Sequence, residues 1–77
     1  MTCYCIYLGS NTYGNFENVG TFPTEELAIV VANTLHDLIK KGNLFFTYND
    51  FQEPFESVEV VEYSDNGSKT VYKLPEE

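Results

Sequence analysis

Between Pro23 and Gly42 the chain carries helix start and stop signals at both ends, and a helix with one apolar face needs a surface to lie on. Thr24 has the side-chain oxygen to cap the first turn, and Glu25 and Glu26 sit at the positive end of the helix dipole. Lys40 and Lys41 sit at its negative end, just before Gly42. Leu27, Val31, Leu35 and Leu38 recur at spacings of four, four and three, flanked by Ala28, Ala32 and Ile39. The stripe they form is predicted to rest on a sheet.

The segments on either side have strand character. Thr2 to Leu8 (TCYCIYL) is apolar on both alternating sets, Tyr4, Ile6 and Leu8 against Cys3, Cys5 and Tyr7, the pattern of a strand covered on both faces. Gly9 to Asn15 is rich in turn residues, and Phe16 to Phe22 (FENVGTF) returns as a second strand with a bulge expected at Gly20. After the helix, Asn43 to Tyr48 (NLFFTY) suits a third strand. Asn49 to Glu56 reads as a loop, because Pro54 cannot donate to a ladder.

Ser57 to Tyr63 and Ser68 to Leu74 complete the set as a hairpin. Taking Asn66-Gly67 as a two-residue turn would pair Val60 with Lys73 and Glu62 with Val71, a poor match of apolar with charged partners. A three-residue loop, Asp65-Asn66-Gly67, with Gly67 in the left-handed region, pairs Val58 with Leu74, Val60 with Tyr72 and Val61 with Val71. It also sets Glu59 against Lys73 and Tyr63 against Lys69, and is preferred. The expected fold is α+β in the order ββαβββ: one domain spanning residues 1–77, an antiparallel sheet of about five strands with one helix on one face. Pro75-Glu76-Glu77 is expected to fray.

Charge narrows the functions open to such a domain. Twelve acidic residues face four lysines (Lys40, Lys41, Lys69 and Lys73) and no arginine, for a formal charge of −8. A surface of that sign repels nucleic acid and anionic membrane, and without arginine the chain lacks the side chain best shaped to grip phosphate. Direct nucleic-acid or membrane binding is therefore not expected. No apolar run approaches the ~20 residues of a spanning helix, and no signal-peptide pattern is visible at the start, so a cytoplasmic location is expected.

Nor is an enzyme expected. The single histidine, His36, lies on the predicted helix beside Asn33, Asp37 and Lys40 as a solvent-facing residue, and no serine sits in a nucleophile motif. Cys3 and Cys5 share a strand face about 6.6 Å apart, too awkward for a disulfide and too few for a zinc site, so they are read as buried structural residues. No cofactor or metal is expected.

One feature of the acids stands out. Asp50, Glu53, Glu56, Glu59, Glu62 and Asp65 fall at every third position, interleaved with Phe46, Tyr48, Phe51, Phe55 and Tyr63. Aromatics that anchor and carboxylates that meet lysine or arginine suit a protein interface, so a partner with a basic surface is expected. The contacts expected are Glu53, Glu56, Glu59, Glu62 and Asp65 with Phe51, Phe55 and Tyr13. In its sharpest form this is a phage or mobile-element inhibitor occupying a partner's nucleic-acid-binding surface. Anti-CRISPRs often share this size and acidity, a likeness of composition alone. The bland counterpart is that the phenylalanines fill the core and the acids solvate an edge.

Two alternatives remain. A homo-oligomeric accessory protein, a homodimer in the simplest case, would use the strand face carrying Cys3, Cys5 and Tyr7. A small-ligand-binding domain would need Tyr7, Tyr13 and His36 to converge under the Gly9 to Asn15 loop.

Overall fold

The computed structural model describes residues 1–75, and the part of the expected tail at Glu76 and Glu77 lies outside the described residues. Strands β1 (Cys3–Ser10) and β2 (Asn15–Phe22) precede helix α1 (Glu25–Lys40). They are followed by β3 (Phe45–Tyr48), β4 (Phe51–Pro54), β5 (Ser57–Ser64) and β6 (Gly67–Leu74). The fold is α+β, as the pattern of the sequence implies.

The strand count and the sheet differ from expectation in one respect. β2, β1, β5 and β6 form a four-stranded antiparallel sheet in that order, and β3 pairs with β4 in a separate two-stranded sheet. The stretch expected to be a loop therefore contains a strand. Asn49 and Asp50 have φ values of 50° and 71°, the positive values a tight two-residue hairpin turn requires, and they join Tyr48 directly to its partner Phe51. Pro54 does not prevent the pairing because it is the last residue of β4, opposite Phe45.

The hairpin β5–β6 follows the three-residue reading only in the half remote from its turn. Val58–Leu74, Glu59–Lys73 and Val60–Tyr72 pair as the three-residue loop demands. Beyond Val60 the register shifts, so that Val61 meets Thr70, Glu62 meets Lys69, Tyr63 meets Ser68 and Ser64 meets Gly67. Val71 is the extra residue, and the bulge it makes closes the turn by Asp65 and Asn66 alone. A second bulge interrupts β1–β2, where Ile6 pairs with Gly20 and Tyr7 with Asn18, leaving Val19 unpaired. The Asn18 side-chain oxygen accepts the Gly20 N–H at 3.0 Å and holds that bulge in place.

Helix α1 begins and ends where its caps dictate. Thr24 Oγ1 accepts the Leu27 N–H at 3.2 Å. At the other end Gly42, at φ 74°, donates to Ile39, and Asn43 donates to Leu38. This is the left-handed termination that glycine makes cheap. The buried face, however, is rotated from the leucine stripe. Ala28 and Ala32 are fully buried, with Val31, Leu35 and Ile39 packed beside them, while Leu27 is 44% exposed. The small alanines let the helix lie close on Ile6, Val58 and Val60, and that close approach turns Leu27 outward.

Phe46 and Phe55 belong to the same core as Ile6, Leu8, Val58 and Val60, with ring centroids 4.9 Å apart. They seat the small β3–β4 hairpin on the larger sheet. The Phe55 N–H donated to the Leu44 carbonyl at 3.3 Å extends the hairpin's own ladder by one rung at its base. The whole measures 39 × 22 × 22 Å.

Candidate partner-binding surface

Because cross-strand partners share a face, Phe46, Tyr48, Phe51 and Glu53 lie on one side of the β3–β4 hairpin. Phe46 is buried there, but toward the turn the same face opens: Tyr48 is 42% exposed and Phe51 70% exposed. Tyr13, from the β1–β2 turn, joins them, its ring 4.7 Å from Tyr48 and edge-on to Phe46 at 5.9 Å. Phe45 is also exposed, at the base of the hairpin. The Glu53 carboxylate beside the Tyr13 hydroxyl raises the Tyr13 pKa, while Asp50 is exposed on the turn. The result is an aromatic tip with carboxylates at its edge.

The other acids of the regular series have separate surroundings. The Glu56 carboxylate accepts the Ser10 hydroxyl at 2.8 Å and the backbone N–H groups of Asn11 and Thr12, while its own N–H donates to the Gly9 carbonyl at 2.8 Å. It closes the β1–β2 turn that carries Tyr13. Glu59 lies on the sheet face away from α1, accepting from the Thr70 hydroxyl. Glu62 lies on the helix side, where it accepts the Tyr4 hydroxyl at 3.0 Å, raising the Tyr4 pKa, and stands 3.8 Å from Lys69. Asp65 is exposed at the β5–β6 turn.

A spacing of three on a strand of period two alternates faces, which is why Glu59 and Glu62 part. Of the residues expected to meet a partner, the structure brings together Tyr13, Phe51 and Glu53. Phe55 is a correction: at 6% exposure it fills the core and is not on offer to a partner. Tyr48 and Asp50, members of the acid and aromatic series but not among the expected contacts, join the cluster. The signal for them was the turn Tyr48-Asn49-Asp50-Phe51, whose middle residues are among those that adopt positive φ most readily.

Glu56 has its pKa lowered by hydrogen bonds from Thr12 and Ser10. A carboxylate depressed in the folded state stabilises the fold above its unfolded value, near 4.5, and that stabilisation is lost as pH falls through the folded value. Thermal unfolding between pH 3 and pH 7, a range set around the ordinary glutamate pKa, is expected to show wild type losing more stability on the acid side than Glu56→Gln. Equal acid sensitivity in the two would contradict the clamp.

The sheet face away from α1, which carries Cys3, Cys5 and Tyr7, is less apolar than the β1 sequence suggests. Tyr7 and Tyr63 reach toward each other over the Cys5–Val61 rung, and their hydroxyls meet at 2.8 Å. The pair shields Cys5, which is buried and lies 3.4 Å from Thr21 Oγ1. The hydrogen bond to Tyr7 pushes the Tyr63 pKa up to about 12. Thr21, Asn18, Glu59, Thr70 and Lys73 share this face, so it is amphipathic and hydroxyl-rich.

Tyr7 points away from the helix, so it cannot converge with the half-buried His36 on a common pocket. Two open depressions of about 240 and 200 Å³ lie by the β5–β6 turn and beside Asn11, Glu56 and Lys73. Among the described residues, no three His, Cys, Asp or Glu side chains gather as a metal site, and no buried polar side chain lacks a partner. No helix among the described residues is long and apolar enough to cross a membrane.

No protein-family model matches the chain, and no curated protein or solved structure matches it either.

Proposed function

We propose that the chain is a non-enzymatic protein-binding module whose β3–β4 hairpin tip docks on a basic surface of a partner protein. In the specific form favoured by its charge of −8, it is an inhibitor that occupies a surface where the partner would otherwise bind nucleic acid. The observation that carries this reading is the exposed aromatic cluster of Tyr13, Tyr48 and Phe51 with Asp50 and Glu53 at its rim. Large aromatic side chains left in water on a rigid hairpin are the usual anchors of a protein interface, and flanking carboxylates select for cationic partners. The base of the hairpin is seated on the core through Phe46 and the neighbouring Phe55.

Affinity capture from cells that naturally contain the protein, followed by mass spectrometry, tests the reading when wild type is run beside Asp50→Lys/Glu53→Lys. A cationic protein retained by wild type, lost by the variant and eluted by salt over the range in which charges are screened is expected. Addition of a nucleic acid that this protein binds is expected to release it as well. Identical captured proteins for wild type and variant would contradict the reading. Glu56 and Glu62 are unsuitable for the same test, because reversing Glu56 breaks the clamp on the Tyr13 turn.

A further inference from the structure

The solvent side of α1 also exposes large apolar groups, as β2 does at Phe16 and Val19. Leu27 is 44% exposed and Val30 62% exposed, adjacent on one helix face at a spacing of three, and Thr34 continues the line four residues on. Thr34 spends its hydroxyl on the Val30 carbonyl at 3.1 Å, which leaves its methyl group as the part facing outward. Asn33, beside it, has its oxygen occupied by the Tyr72 hydroxyl at 2.7 Å. The centre of this face is thus made of small or medium side chains, with the Thr34 hydroxyl and the Asn33 side-chain oxygen already paired.

The two ends of the same helix carry opposite charge. Glu25 and Glu26 are exposed at its start, and Lys40 and Lys41, half the cations of the chain, are exposed at its end. Lys40 has only Asp37 nearby, at 3.7 Å and with both side chains largely in water. The helix dipole accounts for charge at the ends. It does not account for Leu27 and Val30 in solvent between them.

We propose that α1 is a self-association surface on which a second copy of this chain docks, the two helices lying antiparallel about a two-fold axis near Asn33. In that arrangement Glu25 and Glu26 of each copy face Lys40 and Lys41 of the other, and both clusters come into register at once, because each lies seven to eight residues from Asn33. The two dipoles also oppose. Leu27 and Val30 of each copy are covered by the C-terminal half of the other helix, where half-buried Leu38 lies on the same side, four residues beyond Thr34. The absence of a bulky side chain at the crossing allows the axes to approach within the usual 8 to 10 Å or so. A chain of charge −8 resists self-association through most of its surface, so α1, the element with complementary ends, is where two copies meet most cheaply.

Sedimentation equilibrium of the full chain tests this directly. Wild type is expected to reach twice its 8.8 kDa mass as concentration rises, and Val30→Glu to remain monomeric. Glutamate is a better helix former than valine, so unfolding does not explain such a loss, and circular dichroism checks it. Glu25→Lys/Glu26→Lys and Lys40→Glu/Lys41→Glu should each raise the dimer dissociation constant by roughly ten-fold or more through like-charge contacts. Mixing these two variants should restore a dimer, because each supplies the charge the other lacks. The proposal is overturned by a wild type still monomeric at about 1 mM, by a dimer that survives Val30→Glu, or by a mixture that restores nothing.

Discussion

Ile6→Ala is expected to leave little folded protein at 37 °C. Ile6 is fully buried on β1, opposite Val60 of β5, in the core that includes Ala28 and Ala32 of α1. Removing its outer carbons loses their transfer free energy and leaves a cavity that a close-packed sheet–helix contact cannot collapse, at a cost of about 3 to 4 kcal/mol. A chain of this length has a total stability of about 4 to 12 kcal/mol, and small domains lie toward the lower end. The midpoint of thermal unfolding should therefore fall by about 15 to 25 °C. Val19→Ala, at the exposed and unpaired bulge position of β2, is the comparison and should shift it little. Equal shifts for the two would mean that the core is not organised around β1.

The effect of Ile6→Ala should extend to the candidate binding surface. Phe46 and Phe55 seat the β3–β4 hairpin on the same core. When that core loosens, the support for Tyr48 and Phe51 loosens with it. Packing beneath the sheet and presentation of the tip are consequences of one cluster of side chains.

Helix α1 and the outer strands were legible in the sequence because their signals are local. Thr24, the glutamates after it and Gly42 each act within one helical turn, and the structure uses them as caps and terminator. The alternation Tyr4-Ile6-Leu8 likewise marks the face of β1 that meets the helix. Leu27 was misassigned to the buried stripe because hydrophobicity alone does not register that Ala28 and Ala32 permit a closer approach than leucine. The bulge at Val71 leaves no mark in the sequence: both registers weighed there are uniform, and the extra residue carries the ladder near the turn into a register that neither of them gives.

The separate hairpin does not show in the sequence, because Pro54 argues against a strand wherever its place at the strand end is unknown. The candidate site is hidden with it. Once Asn49 and Asp50 are recognised as a two-residue turn, Tyr48 and Phe51 must be neighbours, and the aromatic tip follows. The regular acids pointed to the same region for a different reason, since only Asp50 and Glu53 of the six lie at the tip. Glu56, which looked like one more member of a charged edge, is committed to holding the Tyr13 turn.

The central claim is that the hairpin tip supplies the energy of partner binding. Tyr48→Ser/Phe51→Ser removes two exposed rings while leaving Phe46, Phe55 and the turn in place, so the fold should persist with an unchanged far-ultraviolet spectrum. Aromatic anchors of this kind cost about 2 kcal/mol or more each when truncated, with less than full additivity for neighbours. Titration calorimetry of the captured cationic partner against wild type and this double variant is the most direct measurement. The account predicts binding weakened by about 100-fold or more, and an affinity within about three-fold of wild type would contradict it.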